Sequence, residues 1–376
     1  MTPIKVLVVD DSVVIRKLVT DLLSSDPDLE VVGTAVNGLA AQSKVELLKP
    51  DLVTMDIEMP TMDGIEAVRT LRASGSKVPI IMFSTLTERG ATATLDALAA
   101  GATDYVAKPA NVGSVGQSMQ QVRDALIPRI KALVPGHRVP PARPASTSVA
   151  APEPSARRSG PVGLRSPSAG PPAGHRLLVV GSSTGGPAAL TTFLTGLPLL
   201  PVPIAVVQHM PPVFTRQFAT RLDRSLPATV REVEHGDVLR PGTVSIAPGD
   251  YHLSVKKRGS DLVAHLSQGA PENYCRPAVD VLFRSAAEVL GNQVLAVVLT
   301  GMGQDGCRGA RNLVDAGSSV LVQDESTSVV WGMPGAIAHA GLAEAVLPLP
   351  QLAPELARRL VRGATPAQRH TAGASR

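Results

Sequence analysis

A tight turn of small residues follows an apolar run near the middle of the chain. Residues 181–185 read Gly-Ser-Ser-Thr-Gly, which fits the G-x-S-x-G pattern of a nucleophilic serine held between a strand and a helix. Glycine suits such a turn because it has no Cβ and leaves the central hydroxyl unobstructed. The pattern therefore predicts Ser183 as a nucleophile, although a phosphate-binding loop or a plain turn can have the same composition.

A histidine and an aspartate follow two other apolar runs of this region. His209 comes after residues 203–207, and Asp305 comes after residues 294–299 and a glycine-rich stretch. An imidazole accepts the proton of a serine hydroxyl near neutral pH, and a carboxylate fixes its tautomer and stabilises the imidazolium. Ser183, His209 and Asp305 are therefore predicted to form a hydrolytic triad. Their order along the chain differs from that of the α/β-hydrolases, in which the acid precedes the histidine.

Other polar residues are weaker candidates for this site. Asp280 is the alternative acid, but it also suits the cap of a helix over residues 281–290. Three histidines lie in or beside a predicted hairpin over residues 251–266, where we expect a surface location: His235, His252 and His265. Backbone N–H groups near Thr184 and Met302 are candidates for an oxyanion hole, because tight glycine-rich turns can present such donors.

A second group of reactive residues lies in the first part of the chain. Five side chains follow predicted strands there: Asp10, Asp11, Asp56, Ser84 and Lys108. Clustered carboxylates repel one another, and a divalent cation with oxygen ligands, Mg²⁺, relieves the repulsion. A carboxylate beside Mg²⁺ and an ammonium group can accept a phosphoryl group as an acyl phosphate. We therefore predict that Asp56 is the phosphoryl acceptor and that Asp10, Asp11 and Asp56 hold the metal, while Ser84 and Lys108 bind phosphate oxygens.

The elements that position these five residues alternate between strand and helix. Short apolar runs predict strands at residues 5–9, 31–35, 52–55, 79–83 and 105–107, and helical stretches lie between and after them at 13–24, 39–48, 64–73, 88–99 and 114–133. This order predicts an open parallel sheet with helices on both faces, and reactive groups gather at the carboxyl ends of such strands.

The second half of the chain repeats this alternation. Strand candidates lie at residues 177–180, 203–207, 294–299, 320–322 and 345–347. We therefore predict a second α/β domain over residues 175–362, with a doubly wound, mainly parallel sheet and the hairpin as an addition.

The stretch between the two domains has another composition. Ten residues of the segment 135–174 are proline, which predicts a flexible linker without a core of its own. The segment holds five arginines and one acid, and this surplus equals the net charge of the whole chain, +4. We interpret these arginines as solubilising charge, and the rest of the chain leaves no basic face for nucleic acid. Residues 363–376 are predicted to be a disordered tail.

The overall composition is that of a globular protein, with 44% hydrophobic and 18% charged residues. No apolar run is long enough to span a bilayer, and the N-terminus leads into a strand with no signal-peptide pattern. The two cysteines, Cys275 and Cys307, form neither a metal-binding pattern nor a disulfide framework. We therefore expect a cytoplasmic protein without membrane insertion.

The motifs of residues 4–130 resemble the receiver domain of two-component response regulators. They are Val8-Val9-Asp10-Asp11-Ser12, Met55-Asp56-Ile57-Glu58-Met59-Pro60, Met62-Asp63-Gly64 and Val106-Ala107-Lys108-Pro109. The resemblance implies a flavodoxin-like, five-stranded parallel receiver domain over residues 1–134, with a sensor histidine kinase as phosphodonor. It also implies Tyr105 as a switch aromatic, beside Ser84 and Lys108.

Further motifs extend the resemblance over nearly all of the chain outside the linker and the tail. They are Gly181-Ser182-Ser183-Thr184-Gly185-Gly186, Gln208-His209-Met210-Pro211-Pro212, Ile246-Ala247-Pro248-Gly249-Asp250, Arg276-Pro277-Ala278-Val279-Asp280-Val281-Leu282-Phe283 and Leu299-Thr300-Gly301-Met302-Gly303-Gln304-Asp305-Gly306. Together they resemble the chemotaxis-type protein-glutamate methylesterase family of response regulators.

The family resemblance implies a function for the second domain, residues 175–362. It would hydrolyse γ-glutamyl methyl esters on the cytoplasmic domains of chemoreceptors and deamidate glutamines there during chemotactic adaptation, with Ser183, His209 and Asp305 as its triad. The ester chemistry would need no cofactor. Phosphorylation of Asp56 is expected to relieve a receiver that covers the Ser183 cleft. Two alternatives stay open: the same chemistry in a non-chemotactic signalling cluster, or a phospho-regulated binding module without catalysis.

Overall fold

A computed structural model describes residues 2–108, 115–134, 163–166 and 174–362 of the chain. The chain divides into two compact units, residues 1–160 and 161–376. Most of the predicted linker 135–174 and the whole of the predicted tail 363–376 lie outside the described residues. Within the described ranges, no helix is both long enough and apolar enough to cross a membrane.

In its described part, the first unit contains a five-stranded sheet and five helices. Its strands are β1 (Ile4–Val9), β2 (Leu29–Ala35), β3 (Leu52–Asp56), β4 (Ile80–Ser84) and β5 (Asp104–Ala107). Its helices are α1 (Val13–Ser24), α2 (Gly38–Leu48), α3 (Gly64–Ala73), α4 (Glu88–Ala99) and α5 (Val115–Leu133). The strands are parallel in the order β2-β1-β3-β4-β5, as predicted for a flavodoxin-like sheet.

Local sequence explains where the helices of this unit begin. Each of α1 to α4 follows a polar residue whose side chain accepts a hydrogen bond from the first turn, and these residues are Ser12, Asn37, Asp63 and Thr87. Such a cap stabilises a helix by about 1 kcal/mol. The sheet reverses its direction of growth between β1 and β3, so the residues that end these strands meet at the switch point where open α/β sheets place their sites.

The described residues of the second unit form a seven-stranded sheet, a separate hairpin and six α-helices. Its strands are β6 (Leu177–Ser182), β7 (Ile204–Gln208), β8 (Thr229–Glu232), β9 (Thr243–Ile246), β10 (His252–Arg258), β11 (Asp261–Ser267), β12 (Val294–Val298), β13 (Ser319–Gln323) and β14 (Ala345–Leu347). Its helices are α6 (Gly186–Thr195), α7 (Pro212–Asp223), α8 (Val279–Leu290), α9 (Cys307–Asp315), α10 (Met333–His339) and α11 (Leu349–Arg362), and a short 3₁₀ turn covers Gly291–Gln293.

The large sheet is parallel throughout, in the order β14-β13-β12-β6-β7-β9-β8. Strands β10 and β11 form the predicted antiparallel hairpin. The first strand of the unit, β6, lies between β12 and β7, so the chain builds the sheet outward in both directions from it. The doubly wound parallel sheet predicted from the sequence is therefore confirmed, and β6 marks its switch point.

The core of the second unit is aliphatic with a few fully buried aromatic rings. Strands β6, β7 and β12 are buried along their whole length. Four of the chain's five phenylalanines are at most 1% exposed: Phe193, Phe214, Phe218 and Phe283. A well-packed core beneath the sheet gives the loops at the strand ends a rigid base.

A short piece of the predicted linker is attached to the second unit. The backbone N–H of Arg165 donates to the carbonyl of Ala343 at 2.9 Å, and its Nη1 donates to the carbonyl of Ser318 at 3.1 Å. The guanidinium also lies 3.6 Å from the Glu344 carboxylate, which is fully buried and pairs with Arg359 at 2.7 Å. Arg165 therefore supplies a specific contact in addition to charge.

Candidate active site

The ends of three adjacent strands bring the predicted triad together. Ser183 follows β6 and His209 follows β7, and these strands are neighbours in the sheet. Asp305 lies in the loop between β12, the neighbour of β6 on the other side, and α9. The three residues thus gather at the carboxyl edge of the sheet, at its switch point.

The turn that carries Ser183 depends on two glycines for different reasons. Gly185 has a left-handed φ of 74°, which favours a residue without Cβ. Gly181 is close to the α8 residue Val279, because a Cβ on it would lie 2.5 Å from a Val279 methyl carbon. The Ser183 N–H donates to the Thr300 carbonyl at 3.0 Å, and the Ser183 carbonyl accepts from the Gly186 N–H at 2.7 Å. The backbone of Ser183 is therefore fixed on both sides.

Gln208 links the two strand ends that hold Ser183 and His209. Its Oε1 accepts from the Ser182 hydroxyl at 2.7 Å, and its Nε2 donates to the carbonyls of Ser183 at 3.0 Å and His209 at 3.3 Å. The side chain is 1% exposed. The sequence analysis assigns Gln208 no role. The only feature of the sequence that could have indicated this role is its position directly before His209.

His209 and Asp305 form a close pair. His209 Nε2 lies 2.8 Å from Asp305 Oδ2. Because an ionised carboxylate only accepts hydrogen bonds, Nε2 carries the proton and Nδ1 is the basic nitrogen of the neutral ring. In the predicted triad, Nδ1 is thus the atom available to accept a proton from Ser183.

Asp305 is held by a dense set of donors. Besides His209, its carboxylate accepts from the N–H groups of Val279 at 2.6 Å, Asp280 at 3.1 Å and Gly306 at 3.0 Å, and from Asn273 Nδ2 at 2.9 Å. The N–H groups of Val279 and Asp280 lie in the first turn of α8, where backbone N–H groups have no hydrogen-bond partner within the helix. Burial alone raises the pKa of Asp305, but the hydrogen bonds from His209 and the backbone outweigh burial and lower that pKa. Asp305 therefore stays ionised beside the imidazole.

The basic nitrogen of His209 faces a cysteine. Cys275 Sγ lies 3.4 Å from His209 Nδ1, and within the described residues no hydrogen bond joins the Ser183 hydroxyl to His209. Burial lowers the pKa of His209, but its interactions with Cys275 and Asp305 together outweigh burial and raise that pKa to about 10. The sequence analysis assigned Cys275 no site, because nothing in its spacing indicates that it lies beside the triad.

Two predicted oxyanion donors lie on either side of Ser183. Within the described part of the chain, the backbone N–H groups of Thr184 and Met302 are taken up by no hydrogen bond. Gly301, which precedes Met302, approaches Ser183 so closely that a Cβ on it would lie 2.9 Å from Ser183 Cβ. Gly301 is fixed by a bond from its N–H to the Val330 carbonyl at 3.0 Å. Both N–H groups can therefore serve an oxyanion next to Ser183.

Asp280, the alternative acid, serves a different purpose. It is 1% exposed, and its carboxylate accepts from the Gly309 N–H at 2.6 Å and from Asn273 Nδ2 at 2.9 Å. It lies in the first turn of α8, whereas the residue at the N-cap is Ala278. The expected capping role of Asp280 is therefore wrong, because the Asp305 carboxylate binds the first N–H groups of this helix.

The three histidines predicted in or beside the hairpin lie outside the triad. His235 is exposed, and its ring lies 4.8 Å from that of the half-buried His265. His252 is 3% exposed and bonds through Nε2 to the Ala270 carbonyl at 3.0 Å. The predicted surface location of His252 is therefore wrong, because the hairpin packs this end of β10 against the unit.

The first unit gathers its own set of reactive residues at the carboxyl edge of its sheet. Lys108 Nζ lies 2.7 Å from Asp56 Oδ2 and 3.1 Å from Asp10 Oδ2. Burial, together with the neighbouring Asp10 carboxylate, raises the pKa of Asp56, and the hydrogen bond and positive charge of Lys108 only partly offset this rise. Burial also lowers the pKa of Lys108, but Asp56 and Asp10 outweigh that effect and raise it. The lysine is thus a stable cation beside the carboxylate.

Three carboxylates of this edge are close enough to share one ion. Oxygen atoms of Asp10, Asp11 and Asp56 all lie within 4.8 Å of one another. Two of these side chains are buried, whereas Asp11 is exposed. Hard oxygen donors with open access to water fit Mg²⁺, which keeps several of its waters when bound.

The predicted switch residues surround the same edge. Ser84 is 2% exposed, and its hydroxyl donates to the Gly90 carbonyl at 3.0 Å, at the start of α4. Tyr105 is 8% exposed, and burial strongly raises its pKa. Lys108 N–H donates to the Ser84 carbonyl at 2.6 Å, which joins the ends of β4 and β5. Pro109, which completes the lysine motif, lies outside the described residues.

Comparisons with known proteins find a matching protein family for each of the two units. Residues 178–356 match the family described as CheB methylesterase, and residues 6–120 match the response regulator receiver domain. A Nocardioides sp. protein named protein-glutamate methylesterase/protein-glutamine glutaminase is 69% identical over 96% of this chain and 97% of its own length. A protein of the same name from Trichodesmium erythraeum is 44% identical over 96% of this chain and 100% of its own. A crystal structure of the Thermotoga maritima CheB methylesterase catalytic domain is 43% identical and covers 49% of this chain and 98% of that chain, with a TM-score of 0.48.

Proposed function

The chain belongs to the CheB methylesterase family and carries a response regulator receiver domain, and on this premise we propose that it is a phosphorylation-activated protein-glutamate methylesterase that also deamidates protein glutamines. The resemblance stated from the motifs is thereby confirmed at the level of the family. Its substrates are γ-glutamyl methyl esters and glutamines on the cytoplasmic domains of chemoreceptors. The observation that carries the proposal is the His209–Asp305 pair at 2.8 Å, at the strand end next to Ser183.

The esterase reaction is an acyl transfer. His209 Nδ1 takes the hydroxyl proton of Ser183 while the serine oxygen attacks the ester carbonyl, and Asp305 stabilises the resulting imidazolium. The carbonyl oxygen becomes an oxyanion that the N–H groups of Thr184 and Met302 bind, and loss of one such donor typically costs about 3 kcal/mol of barrier. The C–O bond of the ester then breaks, and methanol leaves with the proton from His209.

The acyl-enzyme is cleared by water. His209 Nδ1 takes a proton from the water molecule as it attacks the acyl carbon, and the proton returns to Ser183 when the ester bond to the enzyme breaks. The product is a glutamate side chain. The same sequence of steps applied to a glutamine releases ammonia in place of methanol, so one site performs both reactions.

The first unit supplies the regulation. Asp56 accepts a phosphoryl group from a sensor histidine kinase, and Lys108 balances the added negative charge. Asp10, Asp11 and Asp56 would hold Mg²⁺, which when bound neutralises charge on the phosphoryl group. Ser84 is poised to hydrogen-bond the phosphoryl oxygens by turning its hydroxyl away from the Gly90 carbonyl.

Activation requires that phosphorylation change the balance between a less active and a more active state. A tenfold activation corresponds to a difference of about 1.4 kcal/mol between the two states. We propose that the unphosphorylated receiver restrains the esterase, so a chain that lacks residues 1–174 should show a higher basal turnover than the full chain. An unchanged basal turnover contradicts this restraint.

The direct test is methanol release from methylated receptor cytoplasmic fragments. The full chain is assayed with and without a small phosphodonor and Mg²⁺, beside Ser183→Ala. If methanol release rises with phosphodonor and falls at least about 10³-fold in Ser183→Ala, the result supports the esterase activity, Ser183 as its nucleophile and activation by phosphorylation. Absence of release under every condition contradicts the chemoreceptor as substrate and favours first another substrate for the same chemistry, and then a phospho-regulated binding module.

A further inference from the structure

A two-residue turn stands beside the triad and carries the most exposed aromatic residue described. The N–H groups and carbonyls of Glu272 and Cys275 bond to each other at 3.1 and 2.9 Å, so the two residues form a minimal antiparallel bridge. Between them lie Asn273 and Tyr274, with φ values of 52° and 63°. Tyr274 is 93% exposed.

Tyr274 contradicts the residue preference of its own turn. A two-residue turn with positive φ at both central positions belongs to type I′, which favours Asn at the first position and Gly at the second. Asn273 follows this preference, whereas Tyr274 places a large ring where the left-handed backbone favours glycine. Departures from local preference are expected at functional sites.

The turn is held rigidly against the catalytic residues. Asn273 Nδ2 donates to Asp305 Oδ1 and to Asp280 Oδ2, both at 2.9 Å. Cys275 Sγ lies 3.4 Å from His209 Nδ1. Glu272 forms a two-point ion pair with Arg284 at 2.7 and 3.2 Å. Both sequence neighbours of Tyr274 therefore contact the predicted triad. The backbone of Tyr274 is held in place, while its ring projects into solvent beside these residues.

We propose that Tyr274 is a docking residue for the protein substrate, and that it binds the polypeptide surface next to the esterified glutamate. This inference rests on the proposed function. Tyrosine is among the residues that contribute most to protein interfaces, because a rigid aromatic ring with a polar tip buries much area at a small entropic cost. Because the backbone of Tyr274 is held between two residues that touch the triad, its ring is placed to meet a polypeptide whose ester approaches Ser183.

The experiment replaces the ring while it respects the turn. Tyr274→Gly creates the Asn-Gly pair that a type I′ turn prefers, so the fold should be at least as stable as in the parent. Tyr274→Phe keeps the ring. Tyr251→Ala removes an aromatic residue that is 38% exposed and lies outside the turn, and it serves as the matched control.

Binding and turnover are measured on the full chain with methylated receptor cytoplasmic fragments. In a Ser183→Ala background, Tyr274→Gly should raise the Kd for the fragment at least tenfold, with an unchanged or higher Tm. With Ser183 intact it should raise KM more than it lowers kcat. The Kd and KM of Tyr274→Phe and of Tyr251→Ala should stay within threefold of the values of their parents.

The outcomes separate this inference from the proposed function. If the parent releases methanol and Tyr274→Gly matches it in Kd and KM, the docking role is overturned and the function stands. If Tyr274→Gly instead lowers Tm, and lowers kcat by the same factor as it raises KM, Tyr274 has a merely structural role and the inference is overturned as well. If the parent releases no methanol from the fragment, the proposed function fails, and the inference fails with it.

Discussion

Cys275 Sγ lies 3.4 Å from His209 Nδ1, the nitrogen that in the proposed mechanism accepts the serine proton. The other ring nitrogen is bonded to Asp305, so the imidazole is held between a thiol and a carboxylate. The Cys275 thiol thus lies against the nitrogen that the proposed mechanism uses as the base for Ser183. We therefore expect the state of the thiol to affect how readily His209 acts as a base.

Removal of the thiol should change the pH dependence of the esterase. Interaction with Cys275 helps to raise the pKa of His209 to about 10, and the ring is a base only when it is neutral. Cys275→Ala should therefore lower the His209 pKa and move the acidic limb of the profile of kcat/KM towards lower pH. The profile is measured between pH 6 and 10 beside Cys275→Ser, and superimposable limbs in Cys275→Ala and the parent would show that the thiol does not act on the base.

Covalent modification of the same thiol should stop the reaction. An alkyl group on Cys275 Sγ occupies the space next to His209 Nδ1, so iodoacetamide should inactivate the full chain. Both cysteines are half-buried, but burial raises the pKa of the Cys307 thiol, which makes Cys307 the slower target.

Matched variants assign the modification to one cysteine. Cys275→Ser should resist iodoacetamide, and Cys307→Ser should be inactivated like the parent. Inactivation of Cys275→Ser at the rate of the parent would place the sensitive group elsewhere. Mass spectrometry of the alkylated chain identifies the cysteine that carries the label.

The sheets and the strand-end residues could be predicted because their signals are local. Buried parallel strands read as continuous apolar runs, and α1, α3 and α4 begin and end at the predicted residues. Two strands escaped prediction, β8 and β9. Each has only four residues, and alternation with threonine, serine or charged residues removes the apolar run that marked the other strands.

The support of the site could not be predicted because it depends on tertiary contacts. Asp305 binds the first N–H groups of α8, some 25 residues earlier in the chain, and no spacing rule connects the two segments. Cys275 reaches His209 only because the 272–275 turn folds back on the strand ends. Isolated cysteines carry no spacing signal, so a position beside a catalytic histidine becomes visible only in three dimensions.

If Asp305 and not Asp280 is the acid of the triad, replacing each aspartate with asparagine should have different effects. Asp305→Asn replaces a carboxylate that accepts five hydrogen bonds with an amide that faces some of those donors with its own N–H groups. It should lower the free energy of unfolding by about 2 kcal/mol and kcat by at least about 10³-fold.

Asp280→Asn is the matched control for that substitution. Asp280 makes no contact with His209 among the described residues, so the variant should keep kcat within tenfold while it loses some stability at the start of α9. Chemical unfolding and methanol release are measured on both variants. A larger loss of kcat in Asp280→Asn than in Asp305→Asn would exchange the roles of the two acids.

Chelation of divalent metal should separate the two sites of the chain. Asp10, Asp11 and Asp56 are the described carboxylates placed to share an ion, whereas the proposed ester chemistry uses a serine, an imidazole and backbone donors. EDTA should therefore prevent hydroxylamine-sensitive acyl phosphate from forming on the chain and abolish stimulation by a phosphodonor, while basal methanol release continues. Asp56→Asn should behave in the same way with Mg²⁺ present. Loss of basal release in EDTA, with recovery on added Mg²⁺, would mean that the esterase itself needs the metal, and labelled phosphate on Asp56→Asn would move the acceptor to another residue.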